Sequence, residues 1–128
     1  MARRLISSGG PWEARFGYSR AVALGDEAFV SGTTDAGPDG RSRHPGDAAA
    51  QARAVFEIMG RALGEAGLSL ADVVRTRMFV TDVADITPVT TVHGEVFRDI
   101  RPAATVVVVA ALIDPSLLVE IEVDARRS

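Results

Sequence analysis

Hydrophobic and polar positions alternate most cleanly near the C-terminus. Val119, Ile121 and Val123 fall on one side of an extended chain, and Glu120, Glu122 and Asp124 on the other. Before them, Thr105–Leu112 is apolar and β-branched almost throughout, the composition of a strand covered by protein on both faces. Asp114-Pro115 separates the two runs as a turn, because proline fixes φ and offers no N–H to a sheet ladder. The pattern predicts a buried central strand paired with a strand that carries an acidic face. Like charges lined along one strand face require water or cationic partners.

Earlier in the chain the periods change in step with the turn signals. Arg4–Ser7 reads as a short opening strand ended by Gly9-Gly10-Pro11, and Trp12–Gly17 as irregular. Tyr18–Leu24 and Glu27–Ser31 form a hairpin across Gly25-Asp26, residue types that tolerate positive φ. Gly37–Gly46, rich in glycine and proline, is a loop. Asp47 is suited to cap a long helix ending at Gly67, whose apolar positions Ala48, Ala52, Val55, Met59, Ala62, Leu63 and Ala66 form one stripe. A strand follows over Val73–Thr81, with Arg75, Arg77 and Phe79 on one face and Thr76, Met78 and Val80 on the other. Thr87 as cap with Pro88 at the first helical position predicts a second helix to Arg98, directing Ile86, Val89, His93, Val96 and Phe97 inward.

The element order is β-β-α-β-α-β-β, an α+β mixed sheet with both helices on one face. The other face, bearing acids and arginines, is expected to be buried by oligomerisation. A chain of 128 residues is one domain over 1–128, able to bury about 68% of its unfolded surface. Its 47% hydrophobic and 24% charged residues exclude disorder, and a net charge of −3 gives no reason to expect nucleic acid or an anionic membrane as partner. Without a bilayer-length apolar stretch or a signal-peptide core, the expected compartment is the cytoplasm. The absence of cysteine removes thiolate chemistry and cysteine-ligated zinc, and all 14 basic residues are arginine, which removes lysine Schiff bases. With only His44 and His93 available, a histidine-rich metal site is excluded, and no metal or organic cofactor is expected. His44, in a polar loop, is expected to be solvated.

In the order Tyr18, Val30-Ser31-Gly32, Asp47-Ala48-Ala49-Ala50-Gln51, Val73–Asp82, Arg101-Pro102-Ala103 and Leu118–Glu122, the chain carries a set of short landmarks. With them it resembles the RidA/YjgF family, also labelled L-PSP endoribonucleases. The resemblance spans nearly the whole sequence and implies a chorismate-mutase-like fold, a homotrimer whose sheets form a central barrel, and small-molecule clefts between subunits. Its best-understood members hydrolyse enamines and imines such as 2-aminoacrylate to keto acids and ammonia. They hold the substrate carboxylate with an arginine directly after the Pro-Ala pair, and position water with a glutamate on the last strand. Glu120 matches the glutamate, but Ala104 stands where the arginine is required, so the substrate is expected to differ from 2-aminoacrylate. Thr90 and His93 also stand where the family has asparagine and tyrosine, while Tyr18 and Gly32 match cleft positions.

Glu120 is therefore the expected water-positioning residue, with Glu122 in a structural pairing to Arg75 or Arg77. His93, whose ordinary pKa lies near neutrality, is the second catalytic candidate. Tyr18, Gly32, Thr105 and Thr90 are expected to shape the pocket, and Arg15, Arg77 and Arg101 are the candidates to replace the missing cation. The leading expectation is a cofactor-independent hydrolase or deaminase-like enzyme. The alternative is a non-enzymatic, metabolite-binding regulatory trimer, and a weaker one a protein-binding trimer with an exposed apolar patch. No basic stripe or histidine pair supports cleavage of RNA.

Overall fold

A computed structural model describes residues 2–128. Six strands form one sheet: β1 (Arg4–Ile6), β2 (Ala21–Leu24), β3 (Glu27–Thr33), β4 (Val73–Val80), β5 (Ala103–Val108) and β6 (Val119–Arg126), in the spatial order β1-β2-β3-β6-β4-β5. Three helices accompany it: α1 (Pro11–Phe16), α2 (Ala48–Glu65) and α3 (Ile86–Val96). The architecture is the expected α+β mixed sheet, with α2 and α3 over one face.

Asp47 starts α2 as the sequence predicts, its side chain accepting from the Ala50 N–H. The stripe of α2 buries Val55, Phe56, Met59 and Leu63 against Val30, Val80, Ile121 and Val123 from the facing strands. Burying an aliphatic side chain of this size contributes about 1.5–3 kcal/mol, so this layer dominates the stability of the domain. Gln51, fully buried within it, donates to the carbonyls of His44 and Ser116 and accepts from the Leu118 N–H. One amide side chain thus ties α2 to the loops that flank β6.

Several boundaries differ from the sequence reading. Residues 11–16 are helical rather than irregular: Gly17, at φ 75°, terminates α1 by donating its N–H to Glu13 O, and the Glu13 carboxylate accepts from Ser8 N and Oγ. β2 begins at Ala21 rather than Tyr18, because β1 pairs only with Ala21–Ala23. α3 begins at Ile86 rather than Pro88, because Asp82 accepts from Ala84 N and starts a 3-10 turn at Val83–Asp85 that leads into the helix. Pro88 still lies in the first turn, where its missing N–H costs nothing. Val92, outside the predicted stripe, is among the most buried residues of α3.

The largest correction concerns the predicted central strand. β5 ends at Val108, and it is the sheet's outer strand, parallel to β4 and exposed at most of its positions. β6, not β5, is central, lying antiparallel between β3 and β4. The crossover through α3 delivers β5 to one side of β4, and the chain then returns on the other. An apolar run reports that a strand is to be covered, not what covers it, and within one protomer no described element does.

Opposite the helices lies an open face. Cross-strand register places Phe29 beside Asp124, Arg75 beside Asp124, Arg77 beside Glu122, and Phe79 beside Glu120. Ala103, Thr105 and Val107 of β5 extend the same rows.

Candidate active site

β3 departs from its ladder with β6 between Val30 and Thr33, where the register shifts. The irregularity carries Gly32 directly over the Glu120 side chain. A Cβ at position 32 would collide with Glu120 Oε2 and lie 3.1 Å from its Cδ, so glycine leaves the carboxyl its room. Both residues open onto a cleft of about 1070 Å³ that also receives Tyr18, Arg20, Asp35 and His44.

Burial pushes the Glu120 carboxyl above its usual range; the nearby Arg20 guanidinium opposes this in part, and Glu122 adds to it. A carboxyl moved towards neutrality in this way serves as proton acceptor and donor within one reaction cycle. Glu122 behaves differently: Arg77 Nη1 lies 3.4 Å from both Glu122 Oε1 and Asp124 Oδ2. The three acids of β6 thus share one face but not one partner: Arg77 pairs with Glu122 and Asp124, and Glu120 opens onto the cleft.

Of the sequence-predicted residues, the structure brings together Tyr18, Gly32 and Glu120. His93 and Arg101 lie instead on a second cleft, of about 450 Å³, shared with Phe97 and Pro102. His93 Nε2 is 2.8 Å from Thr76 Oγ1, its ring lies 4.7 Å from that of Phe97, and burial lowers its pKa. Arg101 holds φ 55°, the one positive φ among described residues other than glycine. Thr105 lies on the open face in register with Arg77. Thr90 Oγ1 donates to Ile86 O within its own helix, and Arg15 lies on α1 with its guanidinium 5.0 Å from the Phe16 ring. Within one protomer, then, Thr105, Thr90 and Arg15 do not meet Glu120.

Two features escaped the sequence reading. Arg20 reaches into the Glu120 cleft, with its Cζ 5.7 Å from the Tyr18 ring centre and its Nη1 donating to Gly32 O and Thr33 Oγ1 at 2.8 and 2.9 Å. The available signal was its spacing: residues two apart on an extended segment share a side, so Arg20 accompanies Tyr18. His44 is not merely solvated, since its Nδ1 lies 3.0 Å from Oδ2 of the buried Asp35, which also accepts from Ser42 Oγ. That partner lies nine residues away in a loop, and no periodicity announces it. Among the described residues no helix is long and apolar enough to cross a membrane.

The chain matches the family model described as Endoribonuclease L-PSP over residues 11–127. It is similar to the crystal structure of Rv2704, a YjgF/YER057c/UK114 family member from Mycobacterium tuberculosis, with a TM-score of 0.89 and 47% identity, covering 98% of this chain and 100% of that one. An uncharacterized protein of Streptomyces coelicolor is 40% identical, over 98% of this chain and 93% of its own. The 3-aminoacrylate deaminase RutC of Acinetobacter baylyi is 38% identical, over 81% of this chain and 82% of its own.

Proposed function

We propose the following reaction for a chain that belongs to the endoribonuclease L-PSP family, the RidA/YjgF superfamily: hydrolysis of a small imine, enamine or related carbonyl metabolite, in the cytoplasm and without a cofactor. The observation that carries the reading is the Glu120 carboxyl, half-buried beneath Gly32 with its pKa raised, in a cleft large enough for a metabolite. Ionised Glu120 takes a proton from water as the water oxygen attacks the imine carbon. The protonated carboxyl returns that proton to nitrogen, giving a carbinolamine; the carboxylate then carries the hydroxyl proton to the amino group, the C–N bond breaks, and ammonia leaves as the carbonyl forms. An enamine enters the same route after protonation at carbon. Tyr18 and Gly32 wall the cleft. The similarity to an enzyme named as a 3-aminoacrylate deaminase supports this reaction class.

In this reading the second cleft faces the first across a homotrimer interface. His93, Arg101, Thr90 and Thr105 of one subunit then complete the pocket formed by Tyr18, Gly32 and Glu120 of the next, with Arg15 at its margin. The reaction is tested with 2-iminopropionate, following pyruvate and ammonia. The wild type is expected to turn over this compound as a surrogate, since Ala104 points to a different preferred substrate, and Glu120→Ala to lose about 10²–10⁴-fold, the range for a lost general acid–base group. Turnover that persists in Glu120→Ala overturns the mechanism.

Ala104 favours one second reading, a metabolite-binding trimer that senses rather than transforms. Ligand-induced thermal stabilisation with no product formed would select it.

A further inference from the structure

Arg20 is the arginine of the Glu120 cleft, anchored to β3 and with no carboxylate at ion-pair distance among the described residues. Arg77 is neutralised by Glu122 and Asp124. Arg15 stacks on Phe16 at the surface, and Arg101 opens onto the other cleft. Both hydrogen bonds of the Arg20 guanidinium leave through Nη1, to Gly32 O and Thr33 Oγ1. Its Nε is buried with no protein acceptor, and among the described residues no carboxylate lies within the 4.0 Å of an ion pair. An unsatisfied N–H beside a fixed positive charge is an unfavourable arrangement unless something else accepts from it. The Nε edge of a guanidinium is also the edge that presents two parallel N–H groups to a carboxylate.

We propose that Arg20 is the carboxylate-binding residue of the Glu120 cleft, a grip placed on a different arginine from the one that its relatives use. The proposal rests on the hydrolytic reading and names the residue that orients its substrate. Nη1 fixes the guanidinium plane against the β3 irregularity, Tyr18 backs it, and the Nε edge grips the carboxylate while Glu120 serves the adjacent carbon. The cation lost at Ala104 is thereby supplied from another part of the chain, at the approach to β2.

The test is a binding measurement, so that it stands apart from turnover. Calorimetry compares 2-oxobutyrate with its neutral methyl ester on wild type, Arg20→Gln and Glu120→Gln. The wild type should bind the acid about ten-fold or more tightly than the ester, Arg20→Gln should lose that preference while ester affinity holds, and Glu120→Gln should keep acid binding. Equal affinity of the wild type for acid and ester, binding of neither, or undiminished acid binding by Arg20→Gln overturns the assignment. Should Arg20→Gln fail to fold, Arg20→Lys decides: it keeps the charge but not the fork, so acid binding should weaken about ten-fold, and unchanged binding overturns the proposal. Loss of turnover in Glu120→Gln with acid binding retained supports Arg20 and Glu120 separately. Retained turnover sinks the role of Glu120 and leaves that of Arg20 intact.

Discussion

The Glu120 carboxyl occupies the space that a side chain at position 32 would need. Gly32→Ala therefore forces the glutamate aside, and because the displaced atoms end a flexible side chain, folding should be nearly unaffected. The reaction should suffer more: moving a reacting group by about 1 Å can cost 10²-fold in rate. The expected outcome is a wild-type melting temperature with kcat for 2-iminopropionate reduced about 10²-fold; an unchanged kcat would show that the carboxyl's position is immaterial. At this scale the sequence was legible where a period exists. Alternation put Glu120, Glu122 and Asp124 on one face, the family resemblance distinguished Glu120 among them, and Glu122 has the pairing role expected of it, with Arg77. Arg20 was hidden because β2 begins only at Ala21, so its spacing from Tyr18 falls on an irregular approach rather than on a strand. The Asp35–His44 pair had no signal, since it is made by the closing of an irregular loop.

Elements are joined here by single polar contacts as well as by apolar layers. His93 on α3 meets Thr76 on β4, and burial lowers its pKa below the ordinary 6.5. A base with a depressed folded pKa contributes stability that is complete above the unfolded value and is lost as pH falls through the folded one. Denaturant unfolding should thus show stability declining as pH drops below 6.5, and His93→Gln should flatten that decline. Glu120 works with the opposite sign, its raised pKa favouring the folded state at low pH and losing that advantage as pH rises. A decline of equal slope in His93→Gln would remove His93 as the cause. Long periodic elements were the legible ones: α2 and its Asp47 cap, and the faces of β4 and β6. The ends of α3 and the existence of α1 were not, because an Asp82-capped turn and a Gly17 terminus outweigh the pattern around them.

For the whole molecule, the sheet's open face sets the expectation. Phe29 and Val107 are exposed there among Arg75, Arg77 and the acids of β6, a mixture that suits an interface with both apolar contact and paired charge. Sedimentation and light scattering should give a trimer at micromolar concentration, and a stable monomer would contradict the proposed completion of the pocket across subunits. The fold class was legible because both helices and most strands have clear periods. The position of β5 was not, since strand order depends on how crossovers close, and the apolarity of Thr105–Leu112 is equally consistent with cover from within the chain or from another copy.

The two edges of this sheet are unequally protected. β1 is only three residues long and begins with Arg4, whose guanidinium is tied to Glu65 O, features that discourage a stray strand from adding to it. β5 offers six uncharged residues, Ala103 to Val108, with an unpaired backbone edge. A protomer that has folded but not yet assembled therefore carries an adhesive ribbon on one side. Its principal hazard is kinetic: capture in the wrong register by another half-finished chain competes with correct assembly, and the competition worsens wherever synthesis outruns assembly.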